Sequence, residues 1–333
     1  MTPASPSRAP LGIGVLGCAD IAWRRTVPAL VGHPGTRLVA SASRTEVKAR
    51  RFADRFGGAA IAGYDALLAH PGVEAVYIPL PAMLQAEWVE RALAAGKHVF
   101  AEKPLSARRA DTERLLRAAR ERGLVLRENA MFLQHTQHAT VARLVAEGAI
   151  GEVRRFEAAF TIPPKGDGDI RNRPDLGGGA LLDMGFYPLR AALHFLGPDL
   201  TVAGATLRAV RDGVVRSGSV LLVTPAGVPA QLSFGMEHAY RSRYAIFGAA
   251  GSLSLDRAFT PPPSWQPVLQ LDRQDHREEI TLPPDDQFTR SVDAFIRSVH
   301  GDPAADDASA GAYSERVAAL VEQVAATAVR TEI

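Results

Sequence analysis

Over the first 130 residues, short apolar runs alternate with amphipathic ones, and this alternation limits the possible folds more than any other feature. The first apolar run, Leu11 to Leu16, ends at Gly17 and reads as a buried strand. A helix is expected over 21–31, a strand over 37–42 and an amphipathic helix over 46–56. A short helix over 64–69, a strand over 73–78 and a helix over 82–95 follow, the last closed by Gly96 as a C-cap. A strand at 98–101, a helix at 107–122 closed by Gly123 and a strand at 124–127 complete the series. Strands and helices joined in turn by short links predict a parallel, doubly wound α/β sheet.

The pattern changes after residue 150. Segments 152–162, 201–210, 217–224, 230–236, 244–247, 252–255, 268–271 and 278–282 read as short strands separated by Gly and Pro turns. Such a series predicts an α+β domain with a large, mostly antiparallel open sheet. Helices are expected over 288–299 and 310–331. The expected organisation is a disordered tail over 1–10, a dinucleotide-binding Rossmann domain over 11–130, and a domain for substrate and oligomerisation over 131–333. The boundary lies within 128–150.

Composition excludes several function classes. The chain has 333 residues, enough for two domains, and is 47% hydrophobic and 22% charged, as ordinary globular chains are. A formal net charge of +2 is too small for a nucleic-acid binder. No apolar stretch approaches the roughly 20 residues that cross a bilayer. The only cysteine is Cys18, so no internal disulfide forms and a reducing cytoplasm is the expected location. The first ten residues lack the apolar core of a leader peptide.

The turn after the first strand is the candidate phosphate site. Gly17, Ala19 and Ala22 take the places of the Rossmann pattern G-x-G-x-x-G/A, with alanine at the middle glycine. The next helix still offers its N-terminal amides to a pyrophosphate; the alternative is a tight turn without ligand. The second strand ends at Ser43 and Arg44 and carries no carboxylate. A guanidinium suits a ribose 2′-phosphate, whereas an acid would repel it, so NADP(H) is favoured over NAD. The alternative is an exposed arginine that opens a helix.

Glu102, Lys103 and Pro104 follow the strand at 98–101. Ligands of open parallel sheets bind at the carboxyl ends of strands, so Lys103 is placed to donate a proton or bind a carbonyl oxygen. Farther along, Asp183, Tyr187, Arg190 and His194 are spaced by four, three and four in an otherwise apolar segment, as one helical face would be. Pro188 suggests an irregular start to that helix. Asp183 and Tyr187 are site candidates, whereas Arg190 and His194 are equally suited to structural roles. No metal is expected, because Glu237, His238, His135 and His138 match no ligand spacing.

These motifs resemble the family of glucose-fructose oxidoreductase, inositol dehydrogenase and rhizopine catabolism proteins over almost the whole chain. The resemblance rests on Gly14 to Gly17, on Ala101 to Pro104, and on the segment from Gly177 through Asp183 to Tyr187. Longer strings, 18–25, 160–164, 169–171, 234–240 and 259–262, resemble the NDP-hexose 3-ketoreductases of deoxysugar and antibiotic biosynthesis. The resemblance implies NADPH-dependent reduction of the C3 ketone of a TDP-3,4-diketo-2,6-dideoxyhexose to the 4-keto sugar. The proton would come from Lys103 or Tyr187.

By the same resemblance Gly17, Cys18, Ala19, Asp20, Ile21, Ala22, Trp23 and Arg24 line the pyrophosphate, and Ser43 and Arg44 meet the 2′-phosphate. Tyr64, Leu80, Gln85 and Glu102 touch the cofactor, and Arg171 and Asp183 close over the nicotinamide ribose. Arg25, Lys103, Tyr187, Tyr240 and Thr260 meet the TDP-linked keto-deoxysugar. A dimer or tetramer joined through the open sheet face is implied. The alternatives are an oxidoreductase acting on a free sugar or a trans-dihydrodiol, and a dinucleotide-binding regulator that is not an enzyme.

Overall fold

The structure, a computed structural model, describes residues 9–305 and 307–333. Most of the tail expected over 1–10 lies outside the described residues. Six strands form the first sheet: β1 (Leu11–Leu16), β2 (Thr36–Ser43), β3 (Ala59–Ala62), β4 (Ala75–Ile78), β5 (His98–Ala101) and β6 (Leu126–Glu128). Their order is β3-β2-β1-β4-β5-β6 and every pairing is parallel. Strands β1, β4 and β5 are almost wholly buried because helices cover both faces, which explains their continuous apolar runs. The strand order reverses between β1 and β4, so the crevice at their carboxyl ends is the natural ligand position of this sheet.

Strand β3 has no counterpart in the sequence reading. Three of its four residues are alanine, a weak strand former, and it is held by parallel pairing with β2 rather than by propensity. The helix expected over 21–31 is also modified. It opens as a π-turn, Ala22–Thr26, in which the Val27 amide bonds back to the Ala22 carbonyl, before continuing as an α-helix, Val27–Gly32. Wide turns of this type accommodate one extra residue and recur at functional sites.

The second sheet has nine strands: β7 (Val153–Thr161), β8 (Thr201–Ala209), β9 (Val215–Val223), β10 (Pro229–Gly235), β11 (Arg241–Gly248), β12 (Ser252–Asp256), β13 (Val268–Arg273), β14 (His276–Thr281) and β15 (Val329–Glu332). Their order is β14-β13-β12-β11-β7-β10-β9-β8-β15. All pairs are antiparallel except β7 with β10 and β8 with β15. The helix Phe186–Leu196, buried from Phe186 to Leu193, packs on β7 and β10.

Strand β15 corrects the helix expected over 310–331. The helix stops at Thr327, whose hydroxyl bonds back to the Gln323 carbonyl. Val329 and Thr331, both β-branched, then pair along the otherwise open edge of β8. An edge with unpaired amides and carbonyls is satisfied this way at the expense of one helical turn.

The last two long helices, Gln287–Val299 and Asp307–Thr327, return to the first sheet. Phe295 stacks on Phe100 of β5 at 5.0 Å, and Ser314 donates to the Glu128 carboxylate at the end of β6. The helix Asp307–Thr327 packs on β6 of the first sheet and on β8 of the second and so joins the two.

Candidate active site

Lys103 follows β5 with only Glu102 between, and the Lys103–Pro104 peptide is cis. Its ammonium donates to Asp183 twice, to Oδ1 at 2.5 Å and to the backbone carbonyl at 3.1 Å. An ammonium has three N–H donors, so one is left over. The other Asp183 oxygen, Oδ2, accepts from Arg171 Nε at 2.5 Å, and Arg171 also pairs with Asp169. The arrangement is a chain of alternating charges, Lys103, Asp183, Arg171 and Asp169, with no net charge.

Its protonation states follow from opposing forces. Burial would strip the proton from Lys103, but the Asp183 carboxylate outweighs it, with help from Tyr187, and the pKa is raised above the ordinary lysine range. Burial would likewise protonate Asp183, yet Lys103 and Arg171 pull its pKa down to about 2. Both members are therefore charged at neutral pH.

The expected polar stripe is broken. A one-turn helix, Ala180–Asp183, is separated from Phe186–Leu196 by Met184 and Gly185. A Cβ on Gly185 would lie 2.5 Å from the Leu181 carbonyl oxygen, so only glycine fits the joint. The break falls ahead of Pro188, and it leaves Asp183 outside the long helix.

Tyr187 lies beside Lys103, its ring centroid 4.8 Å from Nζ. Phe160, Phe132 and Phe259 pack around it at 4.7, 5.5 and 5.7 Å. Burial, only partly offset by Lys103, pushes the Tyr187 hydroxyl up to about 12, so it remains protonated and can donate.

Arg190 and His194 sit deeper. Arg190 lies over the Tyr313 ring at 4.3 Å and His194 packs edge-on to Phe195. Burial lowers both, Arg190 to about 10 and His194 to about 4, which makes the histidine neutral and structural.

Beneath Lys103 is a buried network that the sequence reading missed. Glu102 Oε1 accepts from the Tyr77 hydroxyl at 2.7 Å and from Asn129 Nδ2 at 2.8 Å. Tyr77 also reaches the Thr26 hydroxyl, and Ser291 donates to Asn129. Burial raises the Glu102 pKa, against the pull of these donors. The available signal was one tyrosine inside the fully buried strand β4. Gln85 belongs to the same support: it is fully buried and donates to the carbonyls of Glu102 and Pro104, so it acts on the lysine loop through the backbone.

The β1 turn closes tightly against the end of β4. Gly17 has φ +119°, and a Cβ there would lie 2.8 Å from Leu80 after β4, so the two strand ends meet at the crevice. Cys18 points at the Ala42 carbonyl, and burial pushes its thiol up to about 11, which leaves it inert. Ala19 starts the helix by accepting from the Trp23 amide. Ile21 and Ala22 pack into the core, and Asp20 pairs with Arg24 at the exposed rim. The Trp23 side chain is turned away to Phe52 and Phe56, with Arg51 and Arg55 over its faces.

Ser43 is buried at the end of β2 and Arg44 is exposed just beyond it, next to Tyr64, which packs on Trp88. Arg25 is half-buried and makes no hydrogen bond or ion pair with a described residue. On the other side of the crevice the Tyr240 and Thr260 hydroxyls are 2.9 Å apart. Among the described residues no cluster of three or more metal-ligating side chains occurs, and no helix is long and apolar enough to cross a membrane.

Comparison with known proteins agrees with this architecture. Residues 11–130 match the oxidoreductase family with NAD-binding Rossmann fold, and residues 138–254 match the GFO/IDH/MocA C-terminal domain. Two curated relatives are each a dTDP-3,4-didehydro-2,6-dideoxy-alpha-D-glucose 3-reductase. The Actinomadura kijaniata protein is 57% identical over 87% of this chain and 88% of its own length. The Streptomyces antibioticus protein is 56% identical over 96% of this chain and 97% of its own. A solved structure of KijD10, a 3-ketoreductase from Actinomadura kijaniata in complex with NADP and TDP-benzene, superposes with a TM-score of 0.93 at 53% identity, covering 97% of this chain and 99% of that one. The chain belongs to the GFO/IDH/MocA oxidoreductase family.

Proposed function

We propose that this family member is an NADPH-dependent 3-ketoreductase that converts a TDP-3,4-diketo-2,6-dideoxyhexose to the TDP-4-keto-2,6-dideoxyhexose. The observation that carries the reading is the Lys103 ammonium beyond the carboxyl end of β5, fixed by two bonds to Asp183 and left with one free donor. The activity of the relatives at 56% and 57% identity supports the substrate class.

The residues fit the cofactor. Gly17, at φ +119°, lets the turn after β1 close against Leu80 at the crevice, and Arg44 stands exposed at the end of β2 with no acid beside it in sequence. A nicotinamide cofactor held there would supply the hydride for the C3 carbonyl carbon. As negative charge grows on the C3 oxygen, the remaining Lys103 N–H stabilises it and then transfers its proton, leaving a neutral amine for solvent to reprotonate. Asp183 holds the lysine in place and keeps it charged beforehand. Tyr187, protonated and adjacent, donates a hydrogen bond to the same hydroxyl region and is the second candidate for the proton. Arg25, with no hydrogen-bond or ion-pair partner among the described residues, is suited to the substrate diphosphate. Self-association through the open face of the second sheet is part of the proposal. That face carries Leu221 at 39% exposure within a concave surface that also includes Thr206, Gln231 and Arg243.

The test follows NADPH consumption with the 3,4-diketo sugar nucleotide generated in situ by its dehydratase, with free sugars and NADH run in parallel. Turnover that requires the nucleotide sugar and NADPH supports the proposal. Turnover on free sugars alone reassigns the substrate, and NADPH binding without any turnover points to a regulator.

A further inference from the structure

Glu128 and Arg190 are charged side chains packed near the lysine loop, and the reduction as derived above does not use them. Glu128 is the last residue of β6, and its carboxylate is shared between two donors. Oε1 accepts from the Leu105 amide and Oε2 from the Ser314 hydroxyl, both at 2.7 Å. Leu105 lies two residues beyond Lys103 and is buried, and Ser314 belongs to the helix Asp307–Thr327. The carboxylate therefore clamps the backbone that leaves the lysine to the last helix of the chain.

Arg190 stands behind the clamp, on the helix that carries Tyr187. It is buried over the ring of Tyr313, the neighbour of Ser314, and its Nε and Nη1 have no hydrogen-bond partner among the described residues. Burial pulls its pKa down to about 10, and the Glu128 carboxylate is the strongest force on the other side. Burial in turn raises the Glu128 pKa, against the pull of Ser314, the Leu105 amide and Arg190. A buried guanidinium requires an anion, and Glu128 supplies it. Pro104, Leu105, Leu182, Phe186, Ser314 and Val321 surround a cavity of about 10 Å³, room for no more than one water. The lysine loop, the one-turn helix that ends at Asp183, the helix of Tyr187 and the last helix thus meet with little slack.

We infer that Glu128 is a positioning residue for the reduction: by holding the Leu105 amide it fixes where the Lys103 ammonium stands beside Asp183 and Tyr187. This rests on the function proposed above. A lysine head sits on a long flexible stem, so it is placed only when both ends of the side chain are held. Asp183 holds the ammonium end. Gln85 holds the carbonyls of Glu102 and Pro104, and Glu128 holds the amide of Leu105, so the backbone end is anchored on both sides of the lysine. Through Ser314 the last helix becomes part of the apparatus that places the proton donor.

The experiment reads the lysine both directly and through turnover. The chain has four lysines, Lys48, Lys97, Lys103 and Lys165. Full-length protein labelled with carbon-13 at lysine Cε therefore gives a simple NMR spectrum, in which Lys103 is assigned by its loss in Lys103→Met. The Tyr187 ring, 4.8 Å from Nζ, makes that signal sensitive to small displacements. Glu128→Ala is expected to shift the Lys103 signal and to leave in place that of Lys97, which bonds to the Val73 carbonyl. It is expected to lower kcat roughly ten- to hundredfold with both KM values unchanged, as a displaced proton donor would. Glu128→Gln keeps an oxygen for the Leu105 amide and is expected to restore the signal, and kcat to within about threefold of wild type. Ser314→Ala leaves every charge in place and is expected to move both readouts in the same direction by less. A Lys103 signal and kcat unmoved in Glu128→Ala, or moved as far in Glu128→Gln, overturn the positioning role. Should Glu128→Ala fail to fold, an unmoved Lys103 signal in Ser314→Ala overturns it. A wild-type protein that consumes no NADPH with the nucleotide sugar overturns the underlying functional reading instead, and the lysine signal still decides the positioning.

Discussion

Replacing Asp183 with asparagine removes one charge, preserves the shape, and isolates what the carboxylate does. Its pKa lies at about 2 against an ordinary 3.8. Each unit is worth ~1.36 kcal/mol, so the two neighbouring cations stabilise the folded state through this group by on the order of 2 kcal/mol. The variant also leaves Lys103, only 11% exposed, without an anion. Breaking a buried pair from one side costs about 3–5 kcal/mol, and partial exposure of Asp183 and Arg171 discounts that toward a total of about 2–4 kcal/mol.

The sign with pH is fixed. A carboxyl held below its unfolded value stabilises the fold above that value, and the contribution is lost as pH falls from 3.8 toward about 2. A lysine raised above its unfolded value stabilises the fold below that value and loses the contribution as pH rises through its folded pKa. The gap between wild type and variant in urea midpoints is therefore widest near neutrality, narrows as pH drops below about 4, and narrows again in strong alkali. In the variant the strongest force opposing burial at Lys103 is gone and only Tyr187 and Glu102 are left to oppose it, so the basic limb of kcat/KM moves to lower pH. A stability gap independent of pH, or an unmoved basic limb, would refute the electrostatic account of this cluster.

Lys103→Met is expected to lower kcat by about 10²–10⁴ while NADPH affinity, read by fluorescence titration, is retained. Arg44→Ala is expected to weaken NADPH roughly tenfold and leave NADH unchanged, so the ratio of the two dissociation constants reports the 2′-phosphate contact. Leu221→Asp places a charge on the open sheet face, and sedimentation of the variant as a monomer beside a larger wild-type species tests that face as the self-association surface.

Much of the fold was legible because its signals are local. Gly96 and Gly123 both adopt positive φ after the helices they were expected to close. The helix expected over 46–56 runs Glu46–Phe56, and burial of Ala49 and Phe52 follows its apolar spacing. The misses have a common physical origin. Strand β3 is three-quarters alanine, and β15 is only four residues long, so neither carries a pattern of its own. Each forms because a neighbouring strand leaves backbone groups to satisfy, and that demand is invisible until the neighbour has been placed. The π-turn at Ala22–Thr26 is similar. It accompanies Trp23 packing on the helix Glu46–Phe56 and Thr26 reaching Tyr77, both long-range contacts.

The site divides in the same way. Lys103 could be singled out because strand, lysine and proline follow one another in sequence, and strand ends of a parallel sheet point to the crevice. Asp183 and Tyr187 were chosen from a helical spacing that the structure breaks at Gly185, and the break is what lets Asp183 turn to Lys103 while Tyr187 stays on the long helix. Beyond Asp183, the support under the lysine was not legible as a network, although Glu102 and Gln85 had been singled out as cofactor contacts. Tyr77, Glu102, Asn129, Ser291 and Gln85 come from β4, the end of β5, the residue after β6 and two separate helices. No spacing rule connects them, and burial rather than periodicity selects them. A reactive residue on a strand end can thus be found from the chain alone, whereas the residues that fix its position and charge are found only after both sheets are assembled around it.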